Sequence, residues 1–176
     1  MIDEAIILAG GLGTRLRSVI HDKPKCMAPV NGKPFLFYII NYLQKSGIEK
    51  FIFSVGYMYD AIEEYLKKNY SSLDYKISLE SEPLGTGGGI RLACEKAVSQ
   101  NVLACNGDTL FKIDLQELSN FHKEKNADCT LCLKPMENFE RYGVVEINGN
   151  SSIQSFKEKK FFRGFKHNEQ PAFFVL

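Results

Sequence analysis

Ala5-Ile-Ile-Leu-Ala-Gly-Gly-Leu-Gly-Thr-Arg-Leu16 is the stretch that decides the fold. Its first five residues are an unbroken apolar run, the pattern of a central strand buried on both faces. The run stops at Gly10-Gly11, so a loop must follow. After Pro34, apolar residues at Phe35, Tyr38, Ile39, Tyr42 and Leu43 recur at helical spacing until Ser46-Gly47, where glycine suits a C-terminal cap. Residues 51–55 predict a second strand, Ala61, Ile62, Tyr65 and Leu66 a second helix, and the alternation of Tyr75, Ile77 and Leu79 a third strand. Ile90, Ala93, Cys94, Ala97 and Val98 form the cleanest helical stripe, with the glycines of 87–89 placed before it. A short buried strand over 101–105 then ends at Asn106-Gly107-Asp108, and Leu115, Leu118 and Phe121 mark a further helix with Asp114 as its N-cap.

Strand after helix after strand implies a three-layer α/β domain around a mostly parallel sheet. Residues 144–147, the turn Asn148-Gly-Asn150 and residues 153–156 predict an antiparallel hairpin, which would make that sheet mixed. No linker, repeat or low-complexity tract divides the chain, so residues 1–176 are expected to form a single domain.

Composition narrows the function classes. Of the 176 residues 44% are apolar and 24% charged, which excludes disordered and fibrous classes. Against 22 Lys+Arg stand 21 Asp+Glu, a formal charge of +1 that offers no global attraction to nucleic acid or to an anionic membrane. The longest apolar run, residues 35–40, falls far short of the ~20 residues needed to span a bilayer. The acidic start and the five cysteines, an odd number, point to a reduced, cytoplasmic setting. Cys129 and Cys132 form a CxxC, but on a strand these positions face opposite sides of the sheet, which favours core thiols over a metal site.

Four segments could carry chemistry. The turn Gly10-Gly-Leu-Gly-Thr-Arg-Leu16 follows the first buried strand, where α/β sheets place ligands. It fits neither Walker A, which needs GxxxxGK followed by Ser or Thr, nor the dinucleotide fingerprint, so an NAD-type dehydrogenase is disfavoured. Its glycines would let backbone N–H groups approach an anion, with Arg15 and Arg17 adding charge; a plain βα turn is the competing reading. Lys23-Pro-Lys25 and Met27-Ala-Pro29 hold lysines in a proline-stiffened loop, and with Arg15 they suggest a polyphosphate clamp rather than solvated cations. In Glu80-Ser-Glu-Pro-Leu-Gly-Thr-Gly-Gly-Gly89 the three successive glycines suit a flat ligand lying on bare backbone. Glu80 there is either a surface carboxylate or the acceptor of two adjacent donors such as guanine N1–H and N2–H. Asp108 is an oxygen ligand suited to Mg²⁺ beside phosphates, or part of an Asn-Gly-Asp turn with no metal.

In order along the chain, AIILAGGLGTRL, KPKCMAPVNGKP, EPLGTGGGI, NGDTLF, RYGVV and FKEK closely resemble the sugar-1-phosphate nucleotidyltransferases over residues 5 to 159. The branch they resemble most is the bacterial heptose 1-phosphate guanylyltransferases, with uridylyl and thymidylyl enzymes as relatives. The resemblance implies a Rossmann-like nucleotidyltransferase fold and a reaction between a nucleoside triphosphate and a sugar 1-phosphate that releases pyrophosphate. It implies that Leu8, Gly10, Gly11, Gly13 and Thr14 line the nucleotide, that Arg15 holds the β- and γ-phosphates, and that Lys25 stabilises charge at the α-phosphate. Glu80, Gly85 and Thr86 would read the base, Asp108 would hold Mg²⁺, and Gly143, Glu158 and Lys159 would cradle the sugar and its phosphate.

The chain departs from the family after Lys160. The Asn-Gly-Gly or Asn-Ala-Gly strand and the late Asp of the metal site cannot be placed, and the chain stops tens of residues early, so the domain is expected to be truncated at its C-terminal end. Two consequences are expected: weak Mg²⁺ binding by a single aspartate, and a terminal apolar run, 171–176, left uncovered and prone to self-association as a homo-oligomer. A nucleotide-binding protein with little or no transferase activity is the alternative.

Overall fold

The structure, a computed structural model, describes residues 1–11, 23–135 and 144–157, and the backbone alone of 135 and 169–175. Four parallel strands form its centre: β1 (Glu4–Leu8), β4 (Lys50–Val55), β5 (Asp74–Leu79) and β6 (Val102–Asn106). Between β1 and β4 lie a 3-10 turn (Lys25–Met27), the two-residue strands β2 (Pro29–Val30) and β3 (Lys33–Pro34), and helix α1 (Phe35–Lys45). Helices α2 (Tyr59–Asn69) and α3 (Gly85–Cys94) connect the remaining parallel strands, and α4 (Leu115–Glu124) leads to β7 (Thr130–Pro135). Two further strands, β8 (Val144–Ile147) and β9 (Ile153–Lys157), precede β10 (Glu169–Val175). The main sheet has the order β5-β4-β1-β6-β10-β7.

Side-chain alternation sorts the core into two layers. Ala5, Ile7, Phe51, Phe53, Val55, Leu103 and Cys105 join one cluster with Leu36, Ile39 and Leu43 of α1, Ile62 and Leu66 of α2, and Leu115 and Leu118 of α4. The intervening Ile6, Ile52, Val102 and Ala104 face Ala93, with Ile90 and Cys94 of α3 packed on them. This is the expected three-layer α/β arrangement, with α3 alone supplying the second helical cover among the described residues. The local stops also follow from sequence: Gly47 has φ +93° and ends α1, where the Ile48 N–H donates to the Leu43 carbonyl at 3.0 Å. Asp114 caps α4 through Oδ1, which accepts from the N–H groups of Gln116 (2.8 Å) and Glu117 (3.0 Å).

Two expectations are corrected. First, α3 begins at Gly85, so Gly87, Gly88 and Gly89 lie inside it, and it ends at Cys94 short of Ala97 and Val98, the latter 65% exposed. Each helical glycine costs ~1 kcal/mol relative to alanine, but a Cβ on Gly89 would lie 2.8 Å from Glu80 Oε1 and 3.2 Å from Ser54 Oγ. Close approach to the sheet overrides local propensity. Second, the predicted hairpin forms as β8–β9 but is a separate two-stranded sheet; the main sheet is mixed because β10 runs antiparallel to both β6 and β7. The backbone of residues 171–175 fills the slot between β6 and β7. Pro171, which lacks a donor, falls at the register shift in the β10–β7 ladder, before the three residues that pair with β6.

At the opposite end from the loops that follow β1, β5 and β6, a buried charge ties β1 to the segment beyond α3. Glu4 is 1% exposed, and its Oε2 accepts from the N–H groups of Val98 (2.9 Å) and Ser99 (2.7 Å). Asp3 pairs with Lys50 at 2.7 Å and accepts from the Ser99 hydroxyl at 2.7 Å. The Lys50 hydrogen bond, followed by that of Ser99, holds the Asp3 carboxyl below its ordinary value of 3.8. Its stabilisation is therefore complete above pH 3.8 and is lost as pH falls through the lower, folded value. Glu4→Ala, which strands two backbone donors, is expected to lower stability by about 2 kcal/mol in urea unfolding, and Asp3→Asn to flatten the stability loss below about pH 4.

Candidate active site

Because β1, β4, β5 and β6 are parallel, the loops that follow them leave the same edge of the sheet. Leu8 and Gly10 come at the end of β1, Glu80 follows β5, and Asp108 follows β6. The Ala9 N–H donates to the Ser54 carbonyl (2.7 Å), the Glu80 N–H to the Val55 carbonyl (2.8 Å) and the Gly107 N–H to the Leu8 carbonyl (2.9 Å). These three bonds fix the starts of the loops relative to one another.

Lys25 forms an ion pair with Asp108 Oδ2. The lysine is carried by the 3-10 turn whose next two residues, Cys26 and Met27, are buried, so its backbone is anchored while its side chain stays 41% exposed. Gly107 lets this turn come close: a Cβ there would meet the Leu8 carbonyl at 3.1 Å and Cys26 Cβ at 3.4 Å. On the far side of Asp108, the Tyr42 hydroxyl donates to the Ile113 carbonyl and accepts from the Ile113 N–H, both at 2.8 Å, pinning the loop before α4 to α1. Lys33, on β3, sits over the Phe37 ring, 3.9 Å from its centroid.

The second carboxylate is held differently. Glu80 Oε1 accepts from the Ser54 hydroxyl (3.0 Å), and Oε2 accepts from the Leu84 N–H (3.1 Å) at the start of α3. A Cβ on Gly10 would lie 3.1 Å from the same Oε1, so Gly10 is bare to admit Glu80. Glu80 is half-buried, with both carboxylate oxygens bonded to the protein. A Cβ on Gly11 would meet nothing within 4 Å among the described residues, and Gly85, at φ +70°, needs its freedom to start α3. Thr86 is exposed beside it. Gly13, Thr14, Arg15, Arg17, Gly143, Glu158 and Lys159 lie outside the described residues.

Ser54 was not among the sequence candidates. Its signal was a polar residue at the end of the apolar run 51–55, on the face alternate to Phe53 and Val55. The thiols show no sign of nucleophilic use. Burial, and then the charge of Asp108, pushes the Cys26 thiol up to about 12, and burial alone does the same for Cys105.

Among the described residues no three His, Cys, Asp or Glu side chains gather into a metal site, and no helix is long and apolar enough to cross a membrane. Asp108 nevertheless fits one way of holding Mg²⁺. It is an incompletely buried carboxylate whose Oδ2 pairs with a rotatable lysine, and Mg²⁺ is often held by one carboxylate together with phosphate oxygens and water.

A family model described as nucleotidyl transferase matches residues 4–160. Over 158 residues the chain is 51% identical to a protein of Aneurinibacillus thermoaerophilus named D-glycero-alpha-D-manno-heptose 1-phosphate guanylyltransferase, covering 90% of this chain and 68% of that one. A protein of the same name from Campylobacter jejuni is 48% identical, with 90% and 69% covered. Among solved structures, HddC from Yersinia pseudotuberculosis complexed with GMP-PN superposes with a TM-score of 0.83 at 31% identity, covering 99% of this chain and 76% of that one.

The thiol environments give a direct check. Alkylation of the native protein at about pH 8 is expected to modify Cys129, which is exposed, and to spare Cys26 and Cys105 until denaturant is added, as read by peptide mass spectrometry.

Proposed function

Since this chain belongs to the nucleotidyl transferase family, we propose that it transfers GMP from GTP to D-glycero-α-D-manno-heptose 1-phosphate and releases pyrophosphate. The observation that carries the choice of base and sugar is the 51% identity, along 90% of the chain, to a protein named for that reaction. The product would be a nucleotide-activated heptose, the kind of donor used in surface polysaccharide synthesis, made in the cytoplasm where GTP is available.

The chemistry asked of the residues is alignment and charge control. An oxygen of the sugar phosphate attacks the α-phosphorus of GTP, the bond to the β-phosphate oxygen breaks, and pyrophosphate leaves with the electron pair. No covalent enzyme intermediate is needed, in keeping with the protonated thiols beside the site. Lys25 can turn its ammonium from Asp108 towards the triphosphate, stabilising charge at the α-phosphate. Arg15 would hold the β- and γ-phosphates, with Gly10, Gly11, Gly13 and Thr14 lining the nucleotide. Asp108 is the side chain that would hold Mg²⁺. When bound, that ion would neutralise phosphate charge.

Glu80 supports guanine as the base. Each of its oxygens accepts one bond from the protein and keeps further acceptor capacity, and guanine offers adjacent N1–H and N2–H donors where uracil and thymine offer one ring N–H. Gly85 and Thr86 stand at the start of α3 beside it. Gly143, Glu158 and Lys159 are assigned to the sugar phosphate on sequence resemblance.

A pyrophosphate-release assay with each nucleoside triphosphate and heptose or mannose 1-phosphate tests this reading. Release with GTP and heptose 1-phosphate is the expected result. Thermal stabilisation by GTP without turnover would instead indicate a nucleotide-binding protein, and release with UTP or dTTP alone would overturn the choice of base. Asp108→Asn and Arg15→Ala are each expected to lower kcat/KM by ~10²-fold or more, the scale of one lost transition-state charge contact.

A further inference from the structure

Ser54 is fully buried, at 0% exposed, and cannot touch a nucleotide. Yet its hydroxyl donates at 3.0 Å to the carboxylate assigned to the base. Glu80 is a flexible side chain, and fixing it costs rotamer entropy unless donors define its orientation. Two donors do so, one per oxygen and from different elements: the Ser54 hydroxyl of β4 on Oε1 and the Leu84 N–H on Oε2. Gly10 and Gly89 flank Oε1, at 3.1 Å and 2.8 Å from where their Cβ atoms would stand, so the glycines leave room for this oxygen while the donors set its direction. With the Leu84 bond alone, the carboxylate could swing about that single contact.

The neighbouring strand supplies a comparison. Ser78 of β5 pairs in register with Ser54, is equally buried, and its hydroxyl has no hydrogen-bond partner among the described residues. Both positions carry a small polar residue, but Ser54 is the one that lies against Gly89 of α3 and grips the Glu80 carboxylate.

We infer that Ser54 is a positioning residue for base specificity: it aims the Glu80 carboxylate so that both donors of guanine are read together. This rests on the guanylyltransferase reading and adds to it the residue that makes the carboxylate selective. Inosine triphosphate, which keeps N1–H and lacks the 2-amino group, is the discriminating probe. A fixed carboxylate rejects it because one oxygen loses its partner, whereas a swinging one re-aims on N1–H.

The experiment compares kcat/KM for GTP and ITP with heptose 1-phosphate, and the affinities of the two nucleotides by calorimetry, in the wild type, Ser54→Ala, Ser54→Cys and Ser78→Ala. The wild type is expected to prefer GTP by ~10-fold or more, the scale of one charge-assisted hydrogen bond. Ser54→Ala should bring that ratio to within ~3-fold of unity in both measurements, Ser54→Cys, a weaker donor, should fall between, and Ser78→Ala should keep the wild-type ratio. A ratio unchanged in Ser54→Ala, with stability or turnover on both nucleotides reduced alike, overturns the inference and leaves Ser54 a packing residue. Should Ser54→Ala not fold, Ser54→Cys decides on the same ratio. A wild type that turns over GTP but does not favour it over ITP overturns the inference alone, and one with no GTP turnover overturns the proposed function itself.

Discussion

β1 is hydrogen-bonded in parallel on both flanks, to β4 and to β6, and the candidate site exists because of that arrangement. Parallel pairing forces each strand to return through a crossover, so every loop that starts at a strand's C-terminal end opens on one edge. Residues separated by up to a hundred positions, from Leu8 to Asp108, are thereby set around a single rim. The backbone bonds of Ala9, Glu80 and Gly107 to neighbouring carbonyls lock that rim before any side chain takes part.

The two carboxylates on the rim are prepared in opposite ways. Asp108 is matched with a lysine on a long rotatable stem, a partner that can be exchanged for another cation or handed to an anion. Glu80 is gripped by neutral donors of the protein and wedged between glycines. An exchangeable pair suits phosphate chemistry, in which charge must redistribute; a fixed acceptor suits recognition, in which shape must not change.

Much of this was legible in the residues. Buried runs at 5–9, 51–55 and 101–105 announced the central strands, and Gly47 and Asp114 announced helix ends through local chemistry that needs no tertiary partner. Asp108 and Glu80 stood out because each follows a strand at the edge where ligands gather. The start of α3 was hidden because propensity rejects consecutive helical glycines, and it takes the proximity of Glu80 and Ser54 to explain Gly89 among them. Ser54 was hidden for the same reason: its importance lies in a partner 26 positions away. The placement of β10 was beyond local pattern, since pairing with β6 and β7 is a long-range choice interrupted by Pro171.

That placement of β10 governs the order in which the sheet can be completed. β7 reaches the rest of the sheet only through β10, which itself meets β6 after an intervening stretch of roughly seventy residues. A nascent chain that has emitted β7 but not β10 therefore carries two open ladders with nothing to zip them. In that interval the half-made sheet is most exposed to adopting a stranger's strand, and quality control during synthesis has its natural moment to intervene.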